Sequence, residues 1–155
     1  MLPRLSNLAI AYEKIGRLEQ ALQMKRESFY GHLKIIGEED ENTLTAANNY
    51  AFTLARLNCQ KEAKSVLRRT MPVARRILGE NLVWLQMRWC YAKTLCEDPT
   101  ATLDDLREAV TTLEDTELTA RRVLGGTHPV TAGIGEYLQK ARPVRDARET
   151  PPGSA

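Results

Sequence analysis

The apolar positions along this chain recur every three to four residues, which is the spacing of one face of an α-helix. In the first segment, Leu5, Leu8, Tyr12 and Ile15 would share such a face. No stretch of four or more residues alternates between apolar and polar side chains as a half-buried strand does. The pattern therefore predicts an all-α protein with seven helices, at about 3–15, 18–36, 41–57, 60–78, 81–96, 103–124 and 128–142.

Three of these segments end alike, in a cation, two branched aliphatic residues and a glycine. The endings are Lys34-Ile35-Ile36-Gly37, Arg76-Ile77-Leu78-Gly79 and Arg122-Val123-Leu124-Gly125. Glycine just past a helix adopts the left-handed conformation that ends it, and a cation in the last turn faces the negative end of the helix dipole. We therefore expect three helix ends here, with the two aliphatic residues holding each last turn on the core.

The similarity extends backwards from these glycines. Asn7-Leu8-Ala9 and Asn49-Tyr50-Ala51 are 42 residues apart, and so are Ala21 and Ala63. Small residues at such positions let two helices approach closely. The chain is therefore predicted to be an array of helical hairpins over residues 1–142, with units at about 3–37, 38–79 and 80–125 and a partial unit at 126–142. Residues 143–155, which contain Pro151-Pro152-Gly153, are predicted to form a disordered tail.

The repeated positions resemble the tetratricopeptide-repeat family. They are Leu8, Ala9, Tyr12 and Ala21 in one unit, and Tyr50, Ala51, Leu54 and Ala63 in the next. The spacing of about 42 residues and the run Leu124-Gly125-Gly126-Thr127-His128-Pro129 are similar to the kinesin-light-chain branch of that family. The resemblance implies an α-solenoid of about three helical hairpins plus a terminal helix. It also implies a concave groove, lined by the first helix of each hairpin, that binds an extended peptide or a partner helix.

The residues expected in this groove lie off the core face of the first helices. Ser6, Ile10 and Lys14 would stack in the first hairpin, and Asn48, Phe52 and Arg56 in the second. The predicted groove residues are Asn7, Lys14, Asn48, Asn49, Phe52, Arg56, Trp89 and Lys93.

Two asparagines in this set, Asn7 and Asn49, match the residue that in this family holds the backbone of the bound peptide. An asparagine amide donates to a carbonyl and accepts from an N–H of the same extended chain. The alternative is that these two residues form hydrogen bonds between repeats or are simply exposed to solvent.

Lys14 and Arg56 occupy the same place in consecutive repeats. Two cations in register suggest that the ligand is a protein or peptide carrying acidic residues. The alternative is that Lys14 pairs with Glu13 or a neighbouring acidic residue on the surface, where such a pair contributes little to stability.

Two functions follow from this pattern. One is a scaffold for protein–protein interaction that binds a peptide in the groove. The other is a structural assembly unit that stacks end to end with itself or with further repeats. A molecular mass that rises with protein concentration would indicate such self-association.

The charge balance argues against a nucleic-acid or membrane partner. Lys and Arg number 22 and Asp and Glu number 20, so the net charge is only +2. The pairs Arg68-Arg69, Arg75-Arg76 and Arg121-Arg122 are expected on solvated outer faces, with contact to an acidic partner or RNA as the alternative. No apolar run reaches the roughly 20 residues of a membrane helix, and the start of the chain lacks the apolar core of a signal peptide. A cytoplasmic location is therefore expected.

The sequence offers no set of catalytic or metal-binding residues. It has no GxGxxG, phosphate-loop or HExxH motif. His32 and His128 lie far along the chain from Cys59, Cys90 and Cys96, and the cysteines form no CxxC pair. The protein is therefore predicted not to be an enzyme and to bind neither a metal nor a cofactor.

Overall fold

The computed structural model describes residues 2–150 and 152–153. This part of the chain forms seven helices: α1 Leu2–Lys14, α2 Leu18–Ile36, α3 Glu41–Arg56, α4 Gln60–Leu78, α5 Leu82–Glu97, α6 Leu103–Leu124 and α7 Pro129–Glu149. The described residues contain no strand, so the all-α prediction is confirmed. The first six helices begin and end within one residue of their predicted bounds.

The three repeated glycines end helices as predicted. The φ angles of Gly37, Gly79 and Gly125 are 89°, 64° and 91°, all in the left-handed region. The N–H of Gly79 donates to the carbonyl oxygen of Arg75 at 3.1 Å, which closes the last turn of α4. Gly125 makes the equivalent hydrogen bond to Arg121 at the end of α6.

The aliphatic residues before these glycines differ from expectation. Ile35, Ile77 and Val123, the first of each pair, are exposed rather than packed on the core, and so is Ile36, the second residue of the first pair. Successive side chains point about 100° apart around a helix. Two adjacent residues therefore cannot both face one neighbouring helix.

The chain divides after Gly79 into two compact units, residues 1–79 and 80–155. In unit 1, α2 packs against both α1 and α3, and α3 packs against α4. Small residues lie where these helices meet, since Ala9, Ala21, Ala51 and Ala63 are fully buried. Unit 1 is therefore two consecutive hairpins, α1–α2 and α3–α4, whose first helices are α1 and α3.

In unit 2, α6 packs against both α5 and α7. Its core contains Leu85, Leu95, Leu113 and Ile134. Thr102 caps the start of α6, since its hydroxyl accepts from the N–H of Asp105 at 3.1 Å while the Asp105 carboxylate accepts from the N–H of Thr102.

The last helix extends beyond its predicted end. Residues 143–149, predicted to begin a disordered tail, continue α7 to Glu149 although Pro143 lies inside the helix. Side-chain contacts join this part of α7 to α6: Arg142 donates to Glu114 at 2.8 Å, and Arg107 donates to Glu149 at 2.9 Å. Pro143 removes one backbone hydrogen bond but does not end the helix. Residues 152–153 form a turn, and the rest of the predicted tail after Thr150 lies outside the described residues.

Candidate binding face of the first helices

Four of the predicted groove residues in unit 1 reach the surface. Asn7 and Lys14 are exposed on α1, and Phe52 and Arg56 are exposed on α3. Asn49 is half-buried. The structure therefore supports surface positions for this part of the predicted set.

Asn48 differs from the prediction that it lies off the core face, because it is buried. It follows Leu44 by four residues and precedes Ala51 by three, and both of these neighbours are buried. That spacing places Asn48 on the packed stripe of α3. Ser6, expected to stack with Lys14, is half-buried, and its hydroxyl lies 3.2 Å from that of Ser28 on α2.

Two large apolar side chains occupy equivalent surface positions on α1 and α3. Ile10 is 45% exposed and Phe52 is 44% exposed, and they are 42 residues apart. Lys14 follows Ile10 by four residues, as Arg56 follows Phe52. Each apolar residue therefore has a cation one turn away on its own helix. We call Asn7, Ile10, Lys14, Phe52 and Arg56 the first-helix face.

A buried polar cluster lies beside this face, where α1, α2 and α3 meet. Lys25 is only 7% exposed, and its Nζ lies 2.8 Å from Glu13 Oε2. The same ammonium donates to Thr53 Oγ1 at 2.9 Å, and the Thr53 hydroxyl donates to Glu13 Oε1 at 2.7 Å. The three side chains thus form a closed hydrogen-bonded set that joins three helices.

Arg56 adds a second cation to the cluster. Its Nη1 lies 3.5 Å from Glu13 Oε1, and its side chain is 41% exposed against 15% for Glu13. One carboxylate therefore faces two cations, and the cluster keeps a net positive charge. The contacts of Glu13 with Lys25, Thr53 and Arg56 also commit its carboxylate away from the pairing with Lys14 that the sequence allowed.

The cluster shifts the pKa values of its buried members. Burial raises the pKa of Glu13, but the hydrogen bonds from Lys25 and Thr53 and the charges of Lys25 and Arg56 outweigh it, so the pKa falls below its usual range. Burial lowers the pKa of Lys25, and the charge of Arg56 lowers it further against the opposing effect of Glu13. The fold therefore favours the ionised carboxylate at neutral pH.

Sequence reasoning missed this cluster, although one signal pointed to it. Lys25 lies on the predicted apolar face of α2, in register with Leu67 on α4 and Leu113 on α6. Both leucines are fully buried. A lysine at a repeated leucine position indicates a buried partner, because an unpaired buried ammonium is costly.

A small polar cavity lies next to the cluster. Ser6, Lys25, Ser28, Ala46 and Asn49 line it, and its volume of about 10 Å³ is the size of one water molecule. Asn49 therefore borders the junction of α1, α2 and α3, whereas Asn7 is exposed.

In unit 2 the predicted groove residues have close neighbours. Trp89 is half-buried, and a Cβ atom placed on Gly133 of α7 would lie 2.5 Å from its indole ring. Lys93 Nζ lies 3.8 Å from Glu97 Oε1, and Tyr137 of α7 donates to the same carboxylate oxygen at 3.2 Å. Helix α7 therefore contacts the part of α5 that these residues occupy.

The arginines of the second helices α2, α4 and α6 include several with acidic partners. In unit 1, Arg76 lies 2.6 Å from Glu39. In unit 2, Arg122 pairs with Glu80 and Arg121 lies 2.7 Å from Glu117. Acidic side chains thus lie beside these three arginines, as the solvated-face interpretation expects.

The structure bears on thiol reactivity, through Cys90 and Cys96, and on whether a described helix could span a membrane. Burial raises the pKa of Cys90 to about 12 and that of Cys96 to about 11, so both thiols are protonated at neutral pH. Across the described residues, no helix combines the length and the apolar character needed to cross a membrane.

A comparison with curated proteins gave no significant match. The family model described as "Tetratricopeptide repeat" matches residues 4–76, which is nearly the whole of unit 1. The kinesin-light-chain branch stays a prediction. The match, together with the hairpins α1–α2 and α3–α4, identifies unit 1 as a tetratricopeptide-repeat segment.

Proposed function

We propose that this protein is a scaffold for protein–protein interaction and that the first-helix face binds an extended acidic peptide or partner helix. Tetratricopeptide repeats are generally non-catalytic modules that bind other proteins. A cytoplasmic location and membership of the kinesin-light-chain branch of these repeats belong to the same proposal.

The observation that carries the proposal is the repeated exposure of Ile10 and Phe52. Both lie at the same repeat position and leave nearly half of their surface in water. An apolar surface rimmed by polar groups is typical of a binding site. Lys14 and Arg56 lie one turn further along each helix, and the charge excess of the Glu13 cluster has the same sign. An apolar ligand with acidic residues would complement both properties.

The test is the binding of a fluorescent peptide of alternating leucine and aspartate, measured by anisotropy. We expect binding to weaken as salt rises to about 0.5 M, because the charge contacts are screened. It should weaken further in the double variant Lys14→Gln, Arg56→Gln and in Phe52→Ala. The double variant Lys34→Gln, Lys140→Gln, at exposed positions of α2 and α7, removes the same two charges and is the matched control. Undiminished binding in the double variant, with an unchanged circular dichroism spectrum, would contradict the proposal.

A second candidate function is assembly through the outer side of α1. Leu8 and Ile15 are 46% and 68% exposed. In the next repeat the position of Leu8 is held by Tyr50, which is buried and stacks on Phe29 of α2 with ring centroids 6.0 Å apart. That comparison favours a further helix against α1, from another copy or another repeat.

Sedimentation at increasing protein concentration separates the two functions. Assembly predicts a mass that rises with concentration and a return to monomer in the variant Leu8→Gln, Ile15→Lys. A constant monomer mass would remove the assembly function and leave peptide binding untouched.

A further inference from the structure

Glu13 is an acidic group built into the cluster that borders the first-helix face. It precedes Lys14 in the sequence and lies 3.5 Å from Arg56, so it is close to one of the cations assigned to an acidic ligand. Any ligand carboxylate that reaches Arg56 must therefore approach the negative charge of Glu13.

The contacts of Glu13 are of two kinds. Its bonds to Lys25 and Thr53 measure 2.8 and 2.7 Å, and both are within hydrogen-bond range. Its separation from Arg56 is longer than an ordinary N–H···O hydrogen bond of about 2.7–3.2 Å. Glu13 is thus held in place by two helices, while it attracts Arg56 by charge alone and does not fix the orientation of the guanidinium.

This difference decides which effect of Glu13 dominates. A short bidentate contact would pre-orient Arg56 for a ligand and strengthen binding. A longer charge contact offers little orientation but still neutralises part of the positive field. Arg56 is also the more exposed partner, with 41% of its side chain exposed against 15% for Glu13, so a ligand in solution can reach the arginine more easily than the glutamate.

We propose that Glu13 is a specificity-determining residue that competes with a ligand carboxylate for the charge of Arg56. This inference rests on the proposed function of the first-helix face. Glu13 weakens binding that depends on charge alone, so an acidic ligand must also gain from apolar contact with Ile10 and Phe52. The face thereby discriminates an acidic peptide with apolar residues from a simple polyanion.

The first test is the variant Glu13→Gln with the leucine–aspartate peptide. Glutamine keeps the shape of Glu13 and removes its charge. Its one amide oxygen can accept from only one of Lys25 and Thr53, which contact different carboxylate oxygens in the wild type. We expect about two- to fivefold tighter binding at low salt, the size of a partly exposed charge pair. The gain should disappear at high salt. A leucine–asparagine peptide should bind both proteins equally.

A second variant controls for two side effects of the single substitution, a loosened fold and a changed total charge. Glu13→Gln leaves Lys25 buried without a counter-ion, which can loosen the fold. The double variant Glu13→Gln, Lys25→Met removes both charges, keeps the net charge of the wild type, and places an apolar side chain where Leu67 lies in the next repeat. Tighter acidic-peptide binding in this variant supports competition at Arg56 itself.

The outcomes separate this inference from the proposed function. If Arg56→Gln weakens binding but both Glu13 variants bind like the wild type while folded, the competition by Glu13 is wrong and the binding face stands. If neither the wild type nor the Glu13 variants bind the acidic peptide, both proposals are wrong.

Discussion

Lys25 carries a charge at a position where the other second helices carry leucine. Leu67 and Leu113 are fully buried there, and Lys25 is almost as buried. Its ammonium is tolerated because Glu13 and Thr53 lie within hydrogen-bond distance. The junction of α1, α2 and α3 therefore depends on the ionisation of one carboxylate, which the apolar junctions of the other repeats do not require.

This dependence predicts a specific loss of stability in acid. The pKa of Glu13 in the folded protein is below its ordinary value, so the folded state binds fewer protons than the unfolded state. The contribution of Glu13 is fully present above the unfolded pKa and is lost as pH falls through the folded pKa. Between about pH 6 and pH 3, the free energy of unfolding should therefore fall more steeply for the wild type than for Glu13→Gln.

Urea unfolding followed by circular dichroism at each pH measures this difference. Glu19→Gln, at an exposed position of α2, is the control and should keep the slope of the wild type. Parallel curves for the wild type and Glu13→Gln would show that the cluster does not contribute to the pH dependence.

Gln60, at the start of α4, is a second polar residue at an apolar repeat position. It aligns with Leu18 and Leu106, and it is only 4% exposed. Neither amide atom of Gln60 hydrogen-bonds to a protein group among the described residues. Gln60→Leu should therefore raise the free energy of unfolding by about 1–3 kcal/mol, since it removes the desolvation cost of a buried amide.

Urea titration of Gln60→Leu tests this expectation. Gln20→Leu, at an exposed site on α2, is the matched control and should change stability by less than about 0.5 kcal/mol. Equal or lower stability of Gln60→Leu would mean that its amide is satisfied in solution.

At the scale of elements, two glycines decide how closely α7 packs. A Cβ atom on Gly133 would lie 2.5 Å from the Trp89 ring of α5, whereas one on Gly135 would lie 2.9 Å from the Glu117 carboxylate of α6. The end of a glutamate side chain moves easily, but a half-buried indole does not. The two positions should therefore respond differently to the same added methyl group.

Gly133→Ala should lower the free energy of unfolding by about 1–3 kcal/mol, the usual cost of overpacking, less the helix propensity that alanine gains. Gly135→Ala should be neutral or stabilising by up to about 1 kcal/mol, because there the propensity gain dominates. Thermal unfolding measures both effects, and Trp89 fluorescence should change only in Gly133→Ala. Identical melting of the two variants would show that α7 is not closely packed on Trp89.

The helices were predictable because their signals are local. Apolar spacing and the glycines at 37, 79 and 125 set six helices to within one residue. The end of α7 was not predictable, because Pro143 is a local helix breaker and the side-chain partners of Arg142 and Glu149 lie on α6. Local spacing does not show contacts with another helix.

The binding face was predictable only in part, for the same reason. The register of Lys14 with Arg56 is visible in the sequence, and both are exposed as predicted. The burial of Asn48 follows from its spacing to Leu44 and Ala51, so the sequence did contain that signal. The cluster of Glu13, Lys25 and Thr53 instead depends on contacts between three helices, made by residues 12 to 40 positions apart.

At the scale of the whole molecule, the net charge of +2 is the small difference between 22 Lys and Arg residues and 20 Asp and Glu residues. Two glutamates in the connections after α2 and α4 pair with arginines near the ends of other helices. Glu39 follows α2 and pairs with an arginine in the last turn of α4, and Glu80 follows α4 and pairs with an arginine in the last turn of α6. Glu39 holds Arg76 in unit 1, and Glu80 holds Arg122 in unit 2. Such exposed pairs contribute little to stability. They do reduce the positive field that a nucleic acid would meet at these helix ends.

The last prediction therefore concerns binding to nucleic acid. At about 0.15 M salt, the wild type should not bind a labelled single-stranded RNA, because the acidic partners of Arg76 and Arg122 reduce the counter-ion release that these arginines could give. The variant Glu39→Gln, Glu80→Gln should gain salt-dependent binding, with a steeper dependence of affinity on salt and an unchanged melting temperature.

The variant Glu19→Gln, Glu27→Gln carries the same net charge of +4, two units above the wild type. Its substitutions lie at exposed positions of α2, and neither removes a partner of Arg76 or Arg122. Anisotropy titrations at several salt concentrations compare the three proteins. Equal gains in the two variants would assign the effect to total charge, and tight RNA binding by the wild type would overturn the view that the arginines are neutralised by their acidic partners.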